Sequence, residues 1–165
     1  MRTITQEELD QILADHALWL DDQRTGEHAN LTDVDLTTAN LTGVDLSGVD
    51  LSGANLTGTY LTYTNLTDAN LIGADLFGAD LSGVWLYGGD LTDANLTNAN
   101  LTGAYLTDAK FGLNIIDAKT IYYATFSQDA LMWLILRKDW AKVKDTVTIS
   151  STTNTLERPR CLDER

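Results

Sequence analysis

The amino-acid sequence predicts an all-β solenoid closed by a helix at each end. Leucine recurs at every fifth residue from Leu31 to Leu106 without a miss. A small residue stands two positions before each of these leucines, so a small and a large side chain share one side of an extended backbone. The segments flanking the repeat lose its period and carry helix signals instead.

Residues 1–26 form the first unit. Thr5 and Glu8 are spaced as a capping box, with Ile4 and Leu9 placed for a hydrophobic staple around it. Leu9, Ile12, Leu13, His16 and Leu20 then fall on one stripe of a helix. Gly26 can stop the chain before the repeat by taking a left-handed backbone. A solenoid exposes apolar side chains and unpaired strand edges at both ends, and this helix is expected to cover the first.

Residues 27–128 form the repeat body. Its core column is Leu31, Leu36, Leu41, Leu46, Leu51, Leu56, Leu61, Leu66, Leu71, Leu76, Leu81, Leu86, Leu91, Leu96, Leu101 and Leu106. A helix needs a period near 3.6 and a flat strand a period of 2, so an unbroken period of five fits neither. It fits a coil that turns a corner once per repeat. The small position holds Ala nine times, Val four times, and Thr59, Thr64 and Gly89. Asn or Asp precedes the leucine in thirteen of sixteen units, Thr or Ser follows it in thirteen, and Gly is the commonest residue after that. The leucine and the small residue point inward; the other three face water or make the corner. Phe111, Ile116, Ile121 and Phe126 keep the register, but Asn114 and Lys119 stand where a small inward residue belongs, so the last coil is expected to be distorted.

Residues 129–165 form the third unit. Ser127 can cap a helix containing Leu131 to Leu136 and Trp140, and the apolar run leaves that helix no polar face. One side can cover the last coil. The other needs either Val143 to Ile149 or a second copy of the chain, which makes Leu131, Trp133, Leu134 and Trp140 candidates for self-association and a homodimer an expected assembly. Beyond Ser150 the chain reads as a loose tail.

Net charge is −13, from 24 acidic and 11 basic residues, and it is unevenly placed. Residues 25–109 hold eleven acids and neither Lys nor Arg, whereas nine bases and seven acids follow from Lys110 onward. Direct nucleic-acid binding is not expected of such a body, because phosphate contacts need Lys and Arg. Cys161 is the single cysteine, so neither a disulfide framework nor a cysteine metal site can be built. No apolar run approaches the ~18 residues of a membrane span, and the N-terminus leads into acids rather than a signal-peptide stretch. A cytoplasmic protein without membrane contact is expected.

The units Ala-Asn-Leu-Thr-Gly and Val-Asp-Leu-Ser-Gly resemble those of the pentapeptide-repeat family, whose pattern is Ala-(Asp/Asn)-Leu followed by two variable residues; the likeness is strong over 29–111 and fades through 128. The resemblance implies a right-handed quadrilateral parallel β-helix with four repeats per coil, hence about five coils here. Electrostatics favours four sides independently. Residues twenty apart would stack at about 4.8 Å, and that step reads Asn30, Asp50, Asn70, Asp90 on one face and Asp35, Asn55, Asp75, Asn95 on the next. The other faces read Asn40, Tyr60, Asp80, Asn100 and Asp45, Asn65, Trp85, Tyr105, with no Asp above another. A three-sided coil would stack Asp35 on Asp50 and Asp75 on Asp90.

Catalytic chemistry finds no support. His16 and His28 are the two histidines, and neither stands in a pattern with Ser, Cys or Asp beyond what the repeat produces, so structural or surface roles are expected. The aspartates lack the Gly-rich text of calcium-binding β-rolls, and no phosphate loop occurs outside the repeat. An enzyme, a metal and a cofactor are therefore not expected. The departures from the repeat are aromatic. Trp85 and Tyr105 replace Asn/Asp one coil apart, with Tyr87 and the corner residue Tyr63 beside them, while Ile72 and Phe77 break the pattern on the two preceding faces. Outward rings can stiffen a sheet, and they can also mark a contact patch.

Three functions fit this reading. The first is a protein-interaction scaffold of unidentified partner. The second follows from the resemblance: some pentapeptide-repeat proteins act on DNA gyrase by presenting an acidic rod of duplex-like dimensions. Five coils are only about 24 Å long, so that role would require an end-to-end dimer. The third is a carbohydrate-binding module using Tyr63, Trp85, Tyr87 and Tyr105.

Overall fold

Each repeat makes its own corner before it meets a neighbour. In the computed structural model, which describes residues 1–111, 125–127 and 148–150, the leucine carbonyl accepts the N–H three residues on, as from Val34 to Leu31 at 3.2 Å and from Thr64 to Leu61 at 3.1 Å. The second residue after every leucine from Leu31 to Leu106 has a positive φ, between 55° at Asp33 and 71° at Gly48. That is the mark of a type II turn. Gly, Asp or Asn fills most of these corners, because those residues tolerate the left-handed region. Thr38 at 60° and Tyr63 at 57° do so against their own steric preference.

The Asn or Asp before the leucine supplies the rest of the corner. At all thirteen such sites Oδ1 accepts the N–H two residues on, at 3.0 to 3.2 Å, as from Thr32 to Asn30, Ser47 to Asp45 and Thr102 to Asn100. This side-chain turn explains why the position wants a short carboxyl or amide rather than any polar group.

Corners every five residues bring positions twenty apart into parallel register. Asn30↔Asp50, Asp35↔Asn55, Asn40↔Tyr60 and Asp45↔Asn65 begin four ladders, and Asp90↔Lys110 extends the first of them. The cross-section therefore has four sides of five residues. Backbone bonds run both ways between coils, as from Leu31 N to Asp50 O at 2.8 Å and from Asn55 N to Val34 O at 2.9 Å. Amides also meet carboxylates between coils: Nδ2 of Asn65 donates to Asp45 at 3.0 Å, and that of Asn95 to Asp75 at 2.8 Å. The alternation of Asp and Asn is thus a set of hydrogen bonds as well as an avoidance of like charge.

All sixteen leucines of the column are buried, none more than 3% exposed, and the Ala and Val positions pack beside them. Thr59 and Thr64 are buried at the small position. Their hydroxyls donate to the carbonyls of Leu36 at 2.9 Å and Leu41 at 2.7 Å, so neither is left unsatisfied.

At the first end β1 (Arg2–Thr3) pairs in parallel with β2 (Val34–Asp35), and α1 (Gln6–Asp21) follows. The capping box is formed, with Glu8 N donating to Thr5 Oγ1 at 3.1 Å and Thr5 N to Glu8 Oε2 at 2.7 Å. Leu9 is buried against the first coil, with Ile4, Ile12 and Leu13 packed beside it. At the other end β3 (Tyr105–Leu106), β4 (Thr125–Ser127) and β5 (Thr148–Ser150) form a parallel sheet. Tyr105↔Thr125 keeps the twenty-residue step, while Thr125↔Thr148 is a longer return. Thr148–Ser150 thus lies in the sheet, within the segment read from sequence as helix and tail. An unpaired edge on β4 and a β-branched run give the physical reason. The distorted coil at Asn114 and Lys119, the helix with Leu131, Trp133, Leu134 and Trp140, and the tail beyond Ser150 lie outside the described residues.

Candidate interaction face

One side of the coil carries Leu46, Leu66, Leu86 and Leu106 inward, so the residues on either side of each leucine face out. The outward column before them is Asp45, Asn65, Trp85, Tyr105, joined by the bridges Asp45↔Asn65, Asn65↔Trp85 and Trp85↔Tyr105. Trp85 is 46% exposed, Tyr105 41% and Tyr87 40%. The Tyr87 and Tyr105 rings lie 5.8 Å apart at 31°, a cross-coil aromatic pair. Burial, then the neighbouring Tyr105 phenol, raises the Tyr87 pKa.

Tyr63 stands at the adjoining corner and is 68% exposed. Its ring lies across the next coil at Gly83, where an added Cβ would stand 2.4 Å from Cε1. Glycine there makes room for the ring. The four aromatics singled out in the sequence therefore share one face and its edge, with direct ring contact between Tyr87 and Tyr105. Tyr60, 54% exposed on the preceding face, is a further outward ring that the sequence reading did not single out. Its signal was the same as for Trp85, an aromatic residue at an Asn/Asp position. Ile72 and Phe77 are exposed on the two remaining faces.

Carboxylates rim this face. Asp45, Asp68 and Asp108 are exposed, and Asp68 Oδ1 leans over Gly88, beside Tyr87, where an added Cβ would stand 2.3 Å from it. Around the corner Lys110 Nζ reaches Asp90 Oδ2 at 3.5 Å. The Ser52 hydroxyl and N–H hold the Asp50 carboxyl below its ordinary range.

A second aromatic cluster seats the N-terminal helix. Trp19 meets His28 with ring centres 4.4 Å apart, and His16 meets His28 at 5.2 Å and Trp19 at 5.8 Å. His16 is fully buried, accepts the Ala29 N–H on Nδ1 at 3.3 Å, and has no hydrogen-bond partner for Nε2 among the described residues. Burial, then His28, lowers its pKa, against Asp45 and the Ser47 backbone. A lowered histidine pKa means that the unfolded chain takes up the proton first. Stability from this site should be fully present above the unfolded value of about 6.5 and fall as pH drops through it. The thermal midpoint is expected to decline as pH falls below about 6.5 in the native chain and to stay level there in His16→Gln, with carboxylate losses confined to more acid solution; equal profiles would contradict this. Among the described residues no group of three or more His, Cys, Asp or Glu is placed to hold a metal ion, and no helix is long and apolar enough to cross a membrane.

Comparison with known proteins accords with this geometry. The chain is similar to HetL, a pentapeptide repeat protein involved in heterocyst differentiation regulation from the cyanobacterium Nostoc, with 34% identity and a TM-score of 0.53 over 59% of this chain and 48% of HetL. It thus spans about half the length of that relative. It is also similar to Rfr23 from the cyanobacterium Cyanothece, with 35% identity and a TM-score of 0.34 over 62% of this chain and 67% of that one. QnrB1, a plasmid-mediated fluoroquinolone resistance protein, shares 22% identity with a TM-score of 0.44 over 67% of this chain and 68% of that one. No curated protein matches the chain. The family Pentapeptide repeats, whose members form right-handed β-helices, matches in eight copies across residues 27–58, 54–93 and 74–112, more than half of the sequence, and the chain belongs to it.

Proposed function

We propose that the chain is a non-enzymatic protein-interaction scaffold, a right-handed solenoid of five coils with a C-terminal helix over its far end, which meets a protein partner through Tyr63, Trp85, Tyr87 and Tyr105. The observation that carries this reading is the gathering of three exposed rings on one face of a hydrogen-bonded ladder, with a fourth, Tyr63, at its edge. Exposed aromatics with a polar rim suit partner binding, since rigid rings bury much area at little entropic cost. Tyr63 adds weight, because its left-handed backbone opposes folding at a site where glycine would serve.

The test is affinity capture from native lysate with the intact chain and with a Trp85→Asn, Tyr105→Asn double variant. Asparagine restores the side-chain turn found at thirteen other units, so the variant should fold at least as well. Proteins held by the native chain should be lost from the variant; identical captured sets would remove the reading. Quenching of tryptophan fluorescence by a glycan panel would point instead to a carbohydrate platform. Self-association through Leu131, Trp133, Leu134 and Trp140 is a separate proposal. It fails if the chain sediments as a monomer at high concentration.

A second reading, the acidic mimic of a DNA duplex, rests on the base-free stretch 25–109. Six of its eleven carboxylates, those of Asp35, Asp45, Asp50, Asp75, Asp80 and Asp90, are fixed by the side-chain turns, which gives a rigid array of charge. Binding to a DNA-handling enzyme should then weaken steeply with salt and again in Asp50→Asn, Asp75→Asn, Asp90→Asn, a variant that keeps the turns. Unchanged gyrase supercoiling at micromolar protein would exclude that target.

A further inference from the structure

We propose that the aromatic face takes an arginine-bearing segment of its partner, the guanidinium stacking on Trp85, Tyr87 or Tyr105 while the surrounding carboxylates pair with it. This rests on the reading of that face as a protein contact and adds the chemistry of what is contacted.

Charge complementarity selects the occupant. Residues 25–109 include no Lys or Arg, so the face brings no cation of its own, and the nearest following one, Lys110, is engaged by Asp90. Asp45 stands in the same outward column as Trp85, two coils below it, and the Asp68 carboxylate lies beside Tyr87. An apolar partner would have to leave these carboxylates beside a buried contact. A cationic one neutralises them. The π-faces are the second selector: a cation over an indole or phenol ring is attracted by the ring quadrupole, and desolvation by a docked partner strengthens that attraction. A guanidinium is planar and weakly hydrated, so it can stack on a ring and fork to a carboxylate at once, whereas an ammonium acts as a compact, strongly hydrated charge.

The test uses the full chain and fluorescein-labelled octa-arginine, octa-lysine and octa-glutamate peptides, read by anisotropy at ~0.15 M salt. The comparison protein carries Trp85→Asn, Tyr87→Thr and Tyr105→Asn, each the commonest type at its repeat position, which leaves the net charge and the core unchanged. Octa-arginine should bind more tightly than octa-lysine, octa-glutamate should not bind, and the triple variant should lose affinity for octa-arginine roughly tenfold. Arginine and lysine peptides of equal affinity, or a triple variant that binds octa-arginine as well as the native chain, would overturn the proposal. Failure here together with loss of captured proteins from the double variant would sink the arginine assignment and leave the contact face standing. Unchanged capture would instead count against the face itself.

Discussion

Leu66→Ala is expected to lower the unfolding free energy by about 2 to 5 kcal/mol, because the side chain is fully buried and its removal leaves a cavity between coils that cannot collapse. The ladders above and below hold each coil at a fixed height, so neighbours cannot close the gap without breaking bonds such as Leu46 N to Asn65 O and Leu66 N to Trp85 O, at 2.8 and 2.6 Å. Thr67→Ala, next in the chain and partly exposed, is expected to change stability by no more than about 0.5 kcal/mol. Equilibrium denaturation of the two variants checks both. Equal midpoints would contradict the division into inward and outward columns.

Gly26→Ala is the second large effect. Gly26 has φ of 71°, and an added Cβ would stand 2.1 Å from the Asp15 carbonyl oxygen and 2.8 Å from Leu18 Cβ. The left-handed backbone alone costs an L side chain roughly 1 to 2 kcal/mol. The clash is with helix backbone, which cannot step aside as a flexible side chain would, so α1 must lift from the first coil. A total loss of about 2 to 4 kcal/mol is expected, together with a reduced helical signal in circular dichroism. Gly43→Ala separates the two causes, since Gly43 has φ of 69° and nothing within 4 Å of its added Cβ. It should cost roughly 1 to 2 kcal/mol and leave the helix in place. If the Gly26 and Gly43 variants unfold alike, the packing of the helix on this glycine is not what holds the cap.

The repeat body was legible because each of its positions answers to one local demand. Leu31 and its successors fill the interior, Ala29 and its kin admit the backbone, Asn30 turns the corner through its own carbonyl, and the next corner residue takes the left-handed backbone. The capping box at Thr5 and Glu8 was legible on the same terms. What escaped was decided by free edges rather than by period. Arg2 and Thr3 carry no pattern of their own and form β1 because the first coil offers them unpaired backbone at Val34 and Asp35. Thr148 to Ser150 join β4 for the same reason. The His16, Trp19 and His28 cluster draws on a helix and on the approach to the first coil, at spacings that no single periodicity describes. The aromatic face lay between these cases. Its residues stood out as exceptions to the repeat, but the seat of Tyr63 on Gly83 required the three-dimensional register.

The alternation of carboxylate and amide on two of the four faces ties charge to the order of the coils. Removing one whole coil, residues 51–70, would keep every corner and every leucine in phase, yet it would set Asp75 on Asp35 and Asp90 on Asp50. Removing two, residues 51–90, would place Asn95 on Asp35 and Lys110 on Asp50 instead, so no aspartate of these two columns would face another, although Asp93 would come over Asp33 at the corner. On those two faces the loss of residues 51–70 is opposed by charge, although the backbone is indifferent to the count. Loss of repeats in such a chain is therefore filtered by charge as well as by shape, and the filter depends on which coil is lost.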